Sequence, residues 1–377
     1  GLVLSSFFVG YMLLQIIGGK LADRFGGKVV LGFGVLLWSL FTVITPPAAA
    51  FGLVVLVIVR ILMGMGEAVT FPAIFAQYAR WIPLKERARS VAFSNGGIPL
   101  GTVFALLVTP IIVASLGWEW VFYLFGAAGF LWCIAWQFLI AASPRQQAGM
   151  SAEELAVIEA GAIRDGRTPP TPWRALLTSM PVWAIIVAHF CNNWSLYVLL
   201  AWLPTFVNKG LGVDYGSVGL FAMMPHIAAF IFLNVAGNMA DRLVKGGMTV
   251  TRVRKLMMAI GFGGISTSLA LVGLVDDAVT AIAIMTAGSA LGAFAVPGFF
   301  INHMDIAPQH SGTLMGITNT AGTIPGIIGV SVSGWILQTT GSWAILFSVA
   351  AGVTVFGLIF YLLFGSGERQ FEDVAVQ

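Results

Sequence analysis

Residues 60–72 read Arg-Ile-Leu-Met-Gly-Met-Gly-Glu-Ala-Val-Thr-Phe-Pro, placing Arg60 and Glu67 seven positions apart in apolar sequence. No charged residue occurs from Val29 to Val59, and none from Ala68 to Ala79. Seven residues are about two helical turns, so both side chains leave one face, roughly 10 Å apart along the axis. A charge at bilayer depth costs at least about 2.5 to 3.5 kcal/mol on insertion scales. Two charges on one stripe must therefore face a protein interior or a water-filled cavity. Such a pair either ties two helices together or forms a binding and coupling site. The second reading is the expectation here, with Arg60 for an anion and Glu67 for a proton.

The composition gives that stretch its setting. The chain is 58% hydrophobic and 9% charged, with mean hydropathy +0.92, whereas a soluble domain carries about 25% charged residues. It is a polytopic membrane protein. Glycine is abundant, 45 of 377 residues, and Gly288/Gly292, Gly312/Gly316 and Gly322/Gly326 have the spacing of close helix packing. Plain packing explains them better than a dimer motif. Cys133 and Cys191 fall in apolar segments and give neither a disulfide framework nor a metal signature. The sequence opens at Gly1 without an initiator Met, and the reading expects a further N-terminal piece.

A span needs about 20 apolar residues. Helices are expected near 1–20, 29–46, 51–79, 89–114, 119–141, 181–207, 214–240, 255–275, 278–303, 311–338 and 342–364, eleven in all. Pro46-Pro47 is expected to separate the second from the third, and Leu116-Gly117-Trp118, Asp276-Asp277 and Thr340-Gly341 to mark other turns. Lys and Arg fix the orientation. Seventeen of the nineteen lie in one set of loops and the tail, Lys209 lies opposite, and Arg60 lies in a span. The basic side is cytoplasmic, so the C-terminus is inside and Gly1 outside.

The expected division is a first bundle at 1–142, a linker at 143–180, a second bundle at 181–366 and a tail at 367–377. Ser151, followed by Glu153 and Glu154, is a plausible N-cap for a short amphipathic linker helix reaching about Ile163. Two halves are also visible as a repeat. Gly19-Lys-Leu-Ala-Asp23-Arg24-Phe-Gly26-Gly-Lys28 returns as Gly237-Asn-Met-Ala-Asp241-Arg242, and parallel repeats are a transporter arrangement. The Asp of each copy can sit at a helix N-terminus while its Arg or Lys pairs with the next loop, locking a cytoplasmic gate. Asp23, Arg24, Lys28, Arg87, Arg89, Asp241 and Arg242 are the candidate gate residues.

No metalloprotease, phosphate-loop or nucleophile-elbow motif occurs, and the four His are widely separated. The reading expects no enzyme, cofactor, metal or nucleic-acid partner. Asn193-Trp-Ser195 matches a glycosylation sequon by chance, since it lies in an apolar span. The other polar groups at membrane depth are Tyr11 and Gln15; Asn192, Asn193, Ser195 and Tyr197; Asn302, His303 and Asp305; and Thr318, Asn319 and Thr320. Singly, each is as easily interhelical glue as a ligand contact. As a set around Arg60 and Glu67 they point to a cavity, with Arg60, Tyr11, Asn192, Tyr197, Asn302, His303 and Asn319 as the candidate substrate-binding residues.

The loop repeat resembles the signature of the major facilitator superfamily. Leu4-Ser-Ser-Phe-Phe-Val-Gly-Tyr11, the Arg60–Pro72 stretch, Pro83-Leu-Lys-Glu-Arg87, Pro172-Trp173, Val187-Ala-His189-Phe-Cys-Asn192, Asn302-His303-Met-Asp305-Ile-Ala-Pro308 and Leu314-Met-Gly-Ile-Thr-Asn319-Thr-Ala-Gly-Thr-Ile-Pro325-Gly narrow it further. Together they resemble the anion:cation symporters, a family that includes sialin, the vesicular glutamate transporters, plant plastid anion transporters and bacterial hexuronate and galactonate carriers. The plant and algal anion branch is nearest. The resemblance implies an all-α fold of two six-helix bundles with one helix ahead of Gly1, a further substrate-binding Arg on that helix, proton coupling at Glu67, anion handling at Arg60, and Tyr11 and Asn319 in the substrate site. Asn192 stands where the glutamate branch has an Arg, and Leu4 where it has a His; both count against a vesicular glutamate role. The expected function is H⁺-coupled transport of a small organic anion, a carboxylate or sugar acid, by a monomer in the bilayer of a plasma or plastid membrane. A Na⁺-dependent phosphate carrier or an uncoupled facilitator is the alternative. A non-transporting sensor would be expected to carry a regulatory tail or extra domain.

Overall fold

The computed structural model describes residues 2–159, 170–213 and 215–371. Its helices are α1 (Leu2–Phe25), α2 (Gly27–Ala50), α3 (Leu53–Glu67), α4 (Thr70–Trp81), α5 (Arg87–Asn95), α6 (Gly97–Leu116), α7 (Glu119–Leu139), α8 (Ala152–Glu159), α9 (Trp173–Thr178), α10 (Met180–Thr205), α11 (Tyr215–Lys245), α12 (Val250–Val272), α13 (Ala278–Gly292), α14 (Asn302–Ile306), α15 (Ser311–Thr340) and α16 (Trp343–Phe364). Among the described residues, ten spans are long and apolar enough to cross a membrane. Three of them, Leu53–Trp81, Arg87–Leu116 and Ala278–Ile306, are broken rods built from α3–α4, α5–α6 and α13–α14. With α1, which packs on α3, the eleven expected rods are all present.

Two breaks have one cause. Proline lacks an amide hydrogen and its ring crowds the carbonyl four residues earlier. Pro72 thus deprives Ala68 of its partner, and the chain turns at Ala68–Val69 between α3 and α4. Pro297 does the same to Ala293, and α13 ends at Gly292. Glu67 is consequently the last residue of α3 rather than a mid-helix position. Neither break was expected from the sequence, which treats 51–79 and 278–303 as continuous.

The expectation at Pro46-Pro47 needs the opposite correction. Both lie inside α2, which continues to Ala50; the chain reverses at Phe51 and Gly52, with Gly52 at φ 105°. Membrane helices tolerate proline where neighbours satisfy the freed groups. The turns at Gly117 (φ 99°), Asp277 and Gly341 (φ 64°) fall where expected.

In the first bundle α3 packs on α1 and α2, and α2 on α7. In the second, α10 packs on α15 and α16, α12 on α13 and α16, and α11 on α13. The bundles meet along two seams, α1 and α4 on α15, and α5 and α6 on α11. Glycine lets backbones touch. A Cβ on Gly64 would lie 2.9 Å from the Tyr11 amide nitrogen, and one on Gly10 would strike Ile61. Across the first seam Gly19 meets Gly312, and Gly316 meets the backbone of Gln15 and Ile16. The small-residue spacings are packing devices, as read.

Between the bundles, Ser151 Oγ accepts from the Glu154 amide at 3.1 Å, so Ser151 caps α8. The expected continuation to Ile163 lies outside the described residues. The turn α9, with Leu176 fully buried, was not read from the sequence.

Candidate functional site

The α3 register puts Arg60 and Glu67 on the face toward α1, both half-buried. The Arg60 guanidinium lies 5.4 Å from the Phe7 ring centroid, a cation–π approach. Its Nη1 is 3.9 Å from Met63 Sδ, and its Nε is buried with no hydrogen-bond partner. Glu67 lies within electrostatic reach of Arg60, Tyr11 and Tyr197. Arg60 and Glu67 are nevertheless absent from the ion pairs within 4 Å among the described residues. They share a field without closing on each other.

The second bundle supplies the facing wall. Asn319 Nδ2 donates to the Tyr11 hydroxyl at 3.1 Å, and Gln15 Nε2 donates to Thr323 Oγ1 at 3.0 Å, both across the α1–α15 seam. Gln15 Oε1 is buried without a partner. Tyr197 sets its ring edge-on to Phe8 at 6.2 Å and packs on Gly326. Asn192 donates to Asn193 Oδ1 at 3.1 Å, and Asn193 donates to Gly322 O at 2.9 Å. Ser195 is internal and bonded to Thr354 at 2.7 Å, so the sequon is sealed inside the bundle.

Two expected members sit elsewhere. Asn302 is fully buried with its amide on the Tyr361 hydroxyl (2.8 Å) and Ser366 O (2.9 Å), at the far end of α16. His303 lies behind the wall, with Nε2 2.6 Å from Thr318 Oγ1 and Nδ1 2.8 Å from Phe300 O. Thr318 also touches His189 Nδ1 at 3.1 Å. The carbonyl of Phe300 requires His303 to carry its hydrogen on Nδ1. A neutral ring then accepts at Nε2 from the Thr318 hydroxyl, which in turn accepts from His189.

At the basic end, each repeated aspartate, which lies near the C-terminal end of α1 or α11 rather than in a loop, caps a helix of the other bundle. Asp23 accepts from Gly312 N (3.0 Å), Thr313 N (2.7 Å) and Thr313 Oγ1 (2.6 Å) at the start of α15. Asp241 accepts from Ala88 N (3.0 Å) and Arg89 N (2.8 Å) at the start of α5. Free amides and the helix dipole make these N-termini strong sites for a carboxylate. Arg87 reaches across to Asp305 at 3.3 Å, and Arg254 grips the same carboxylate at 2.7 Å. These contacts tie the two bundles together at the basic end.

The other basic residues expected in the gate act differently. Arg24 stacks over its neighbour Phe25 at 5.2 Å. Lys28 donates to Gln137 O at 3.2 Å within its own bundle. Arg242 is exposed. Arg89 joins Asp241 through its backbone, while its side chain pairs with Glu86 at 2.5 Å. Sequence reasoning did not place Asp305 and Arg254 in the gate. The available signal was an acid three residues before Pro308 at a span end and an Arg inside Arg252-Val-Arg254-Lys255.

Spanning helices in two bundles, a polar seam between them and paired cross-bundle caps at one end form the architecture of a membrane transporter. A family profile described as Major Facilitator Superfamily matches residues 1–330. The chain is 42% identical over 371 residues to an Arabidopsis thaliana chloroplastic ascorbate transporter, covering 98% of this chain and 68% of that one. It is 40% identical to an Arabidopsis thaliana chloroplastic sodium-dependent phosphate transport protein, covering 98% and 72%, and 39% identical to human sialin, covering 98% and 76%. A solved proton:xylose symporter shares the fold with TM-score 0.75 at 17% identity, over 98% of this chain and 87% of that one. The chain belongs to the major facilitator superfamily and, within it, to the anion:cation symporter family.

Proposed function

We propose that this transporter carries a small organic anion, a carboxylate or sugar acid, together with H⁺. The observation that carries this reading is a half-buried Arg60 and Glu67 on one helix face with no ion pair between them, opposite the Tyr11–Asn319 seam. Arg60 offers a fork that a carboxylate can engage in bidentate fashion. The anion and Glu67 compete for that guanidinium, and a carboxylate that loses its counter-charge takes up a proton. Substrate and proton then bind together, and the coupling is reciprocal. Residues 1–142 and 181–366 rock as two units about the seams, while Asp23, Asp241 and the Arg87–Asp305–Arg254 cluster hold the cytoplasmic end shut in alternation.

Transport in proteoliposomes under an imposed pH gradient tests the assignment. Glu67→Gln should abolish gradient-driven accumulation and keep counterflow exchange. Retained accumulation would remove Glu67 from coupling. Arg60→Lys should weaken anion affinity; an unchanged KM would remove Arg60 from the site. Ascorbate and phosphate, the cargoes in two relatives' names, are the first anions to try. Each should be run with and without Na⁺ at fixed pH, and Na⁺-dependent, pH-independent uptake would overturn H⁺ coupling.

A further inference from the structure

A lateral cavity of about 590 Å³ opens between α10, α15 and α16 on the outside of the second bundle. That volume lies within the range of about 300 to 1,000 Å³ typical of ligand sites. Its lining is wholly apolar and includes Trp183, Val187, Cys191, Ala321, Val353 and Phe356. Trp183, Val349 and Phe356 are 42%, 37% and 58% exposed at its mouth. All three helices are spanning segments, so the mouth faces hydrocarbon and no water-soluble ligand can enter it.

The cavity has a defined depth. Trp183 lies three residues into α10 and Cys191 eleven, about 12 Å further along the axis. Since α10 starts on the basic side, the groove runs from the cytoplasmic interface toward mid-membrane. Trp183 donates through its indole nitrogen to Leu177 O at 2.8 Å, the fixed aromatic of an interfacial belt. Gly352 forms part of the wall, and a Cβ added there meets nothing within 4 Å. The groove also sits against a weak point of α15. Pro325 lies inside that helix and leaves the carbonyl of Ala321, a lining residue, without its amide.

We propose that this groove is a binding site for one acyl chain of a cytoplasmic-leaflet phospholipid, seated on the proline-weakened turn of the helix whose N-terminus Asp23 caps. Lipid is the occupant because the cavity has no polar lining and opens only into the bilayer. An ordered chain behind Ala321 supports α15 where its own ladder is interrupted. Occupancy therefore bears on how freely α15 bends when the cytoplasmic end opens.

The test uses the full chain in nanodiscs of phosphatidylcholine doped with a phosphatidylcholine carrying a mid-chain diazirine. After irradiation, peptides covering Trp183–Cys191 and Val349–Phe356 should label at a dopant fraction where labelling of the exposed α7 face still rises linearly. Gly352→Trp, which fills the groove, should cut labelling of the groove peptides about tenfold, equivalent to about 1.4 kcal/mol of binding. Labelling of α7 should not change. Non-saturating labelling that parallels α7 would reduce the groove to bulk lipid contact and overturn the proposal. So would undiminished labelling in a folded Gly352→Trp protein. If that variant does not fold, saturation in the unaltered protein decides alone.

Discussion

Replacing Asp23 by Asn should open the cytoplasmic end. The Asp23 carboxylate takes one bond from Gly312 on Oδ1 and two from Thr313 on Oδ2. Asparagine keeps one acceptor oxygen and turns an N–H₂ toward the remaining donors, so one or two bonds are lost. Each hydrogen bond to a charged group contributes about 1.5 to 3 kcal/mol net. Removing the negative charge from the α15 N-terminus costs about 0.3 to 1 kcal/mol more. A total of about 2 to 7 kcal/mol, taken only from the closed state, shifts the equilibrium by roughly 30-fold at the low end and about 10⁵-fold at the high end. Spin labels at Lys20→Cys and Arg252→Cys, one exposed site per bundle, report the change by electron–electron resonance in protein lacking Cys133 and Cys191. The short-distance population should give way to a longer one, and Asp241→Asn should act in the same direction. An unchanged distance distribution in folded Asp23→Asn protein would refute the claim that the cap holds the end closed.

Three further outcomes follow from packing and charge. Asp305→Asn strands Arg87 and Arg254, both 3% exposed, at a cost of about 3 to 5 kcal/mol; thermal melting in detergent should fall, and Arg87→Met in the same chain should recover part of the loss. Gly64→Ala forces a methyl into the Phe7 carbonyl and against the Tyr11 amide and should cost about 1 to 3 kcal/mol, whereas Gly101→Ala, with open space around its Cβ, should melt like the parent. Asp277 caps α13, and its bonds from the Thr280 hydroxyl and amide hold the carboxyl below its ordinary range. A depressed folded value means the stabilisation is present above the unfolded value and fades as pH falls through the folded one. The melting gap between parent and Asp277→Ala should therefore be open at neutral pH and close in acid.

Run length made the eleven rods legible, because the thickness of the bilayer imposes it. The seven-residue spacing of Arg60 and Glu67 was equally readable, since helical geometry alone fixes a shared face. Proline was not. The same residue passes silently through α2 at positions 46 and 47 yet breaks the chain before 72 and 297, and the difference depends on neighbours that no local pattern contains. The cross-bundle caps were half visible. A repeated aspartate beside glycine marked a capping device, but its receiving amides lie 289 and 290 residues along the chain for Asp23, and 153 and 152 for Asp241. The basic neighbours Arg24, Lys28 and Arg242 looked like partners because they were adjacent. The cations that bind across the halves or beneath them, Arg87 and Arg254, converge on an acid far away in sequence. Asn302 shows the same limit: polarity at depth marked it as important but could not say which way it faced.

The latch has an uneven genetic exposure. Each bolt is a carboxylate, yet most of what receives it is peptide amide, which every residue except proline supplies. Sequence can drift at the receiving amides and keep these bonds, while replacement of either aspartate removes them. If these contacts hold the carrier shut, side-chain variation that tunes closure falls on Asp23, Asp241, the Thr313 hydroxyl and the Arg87–Asp305 pair.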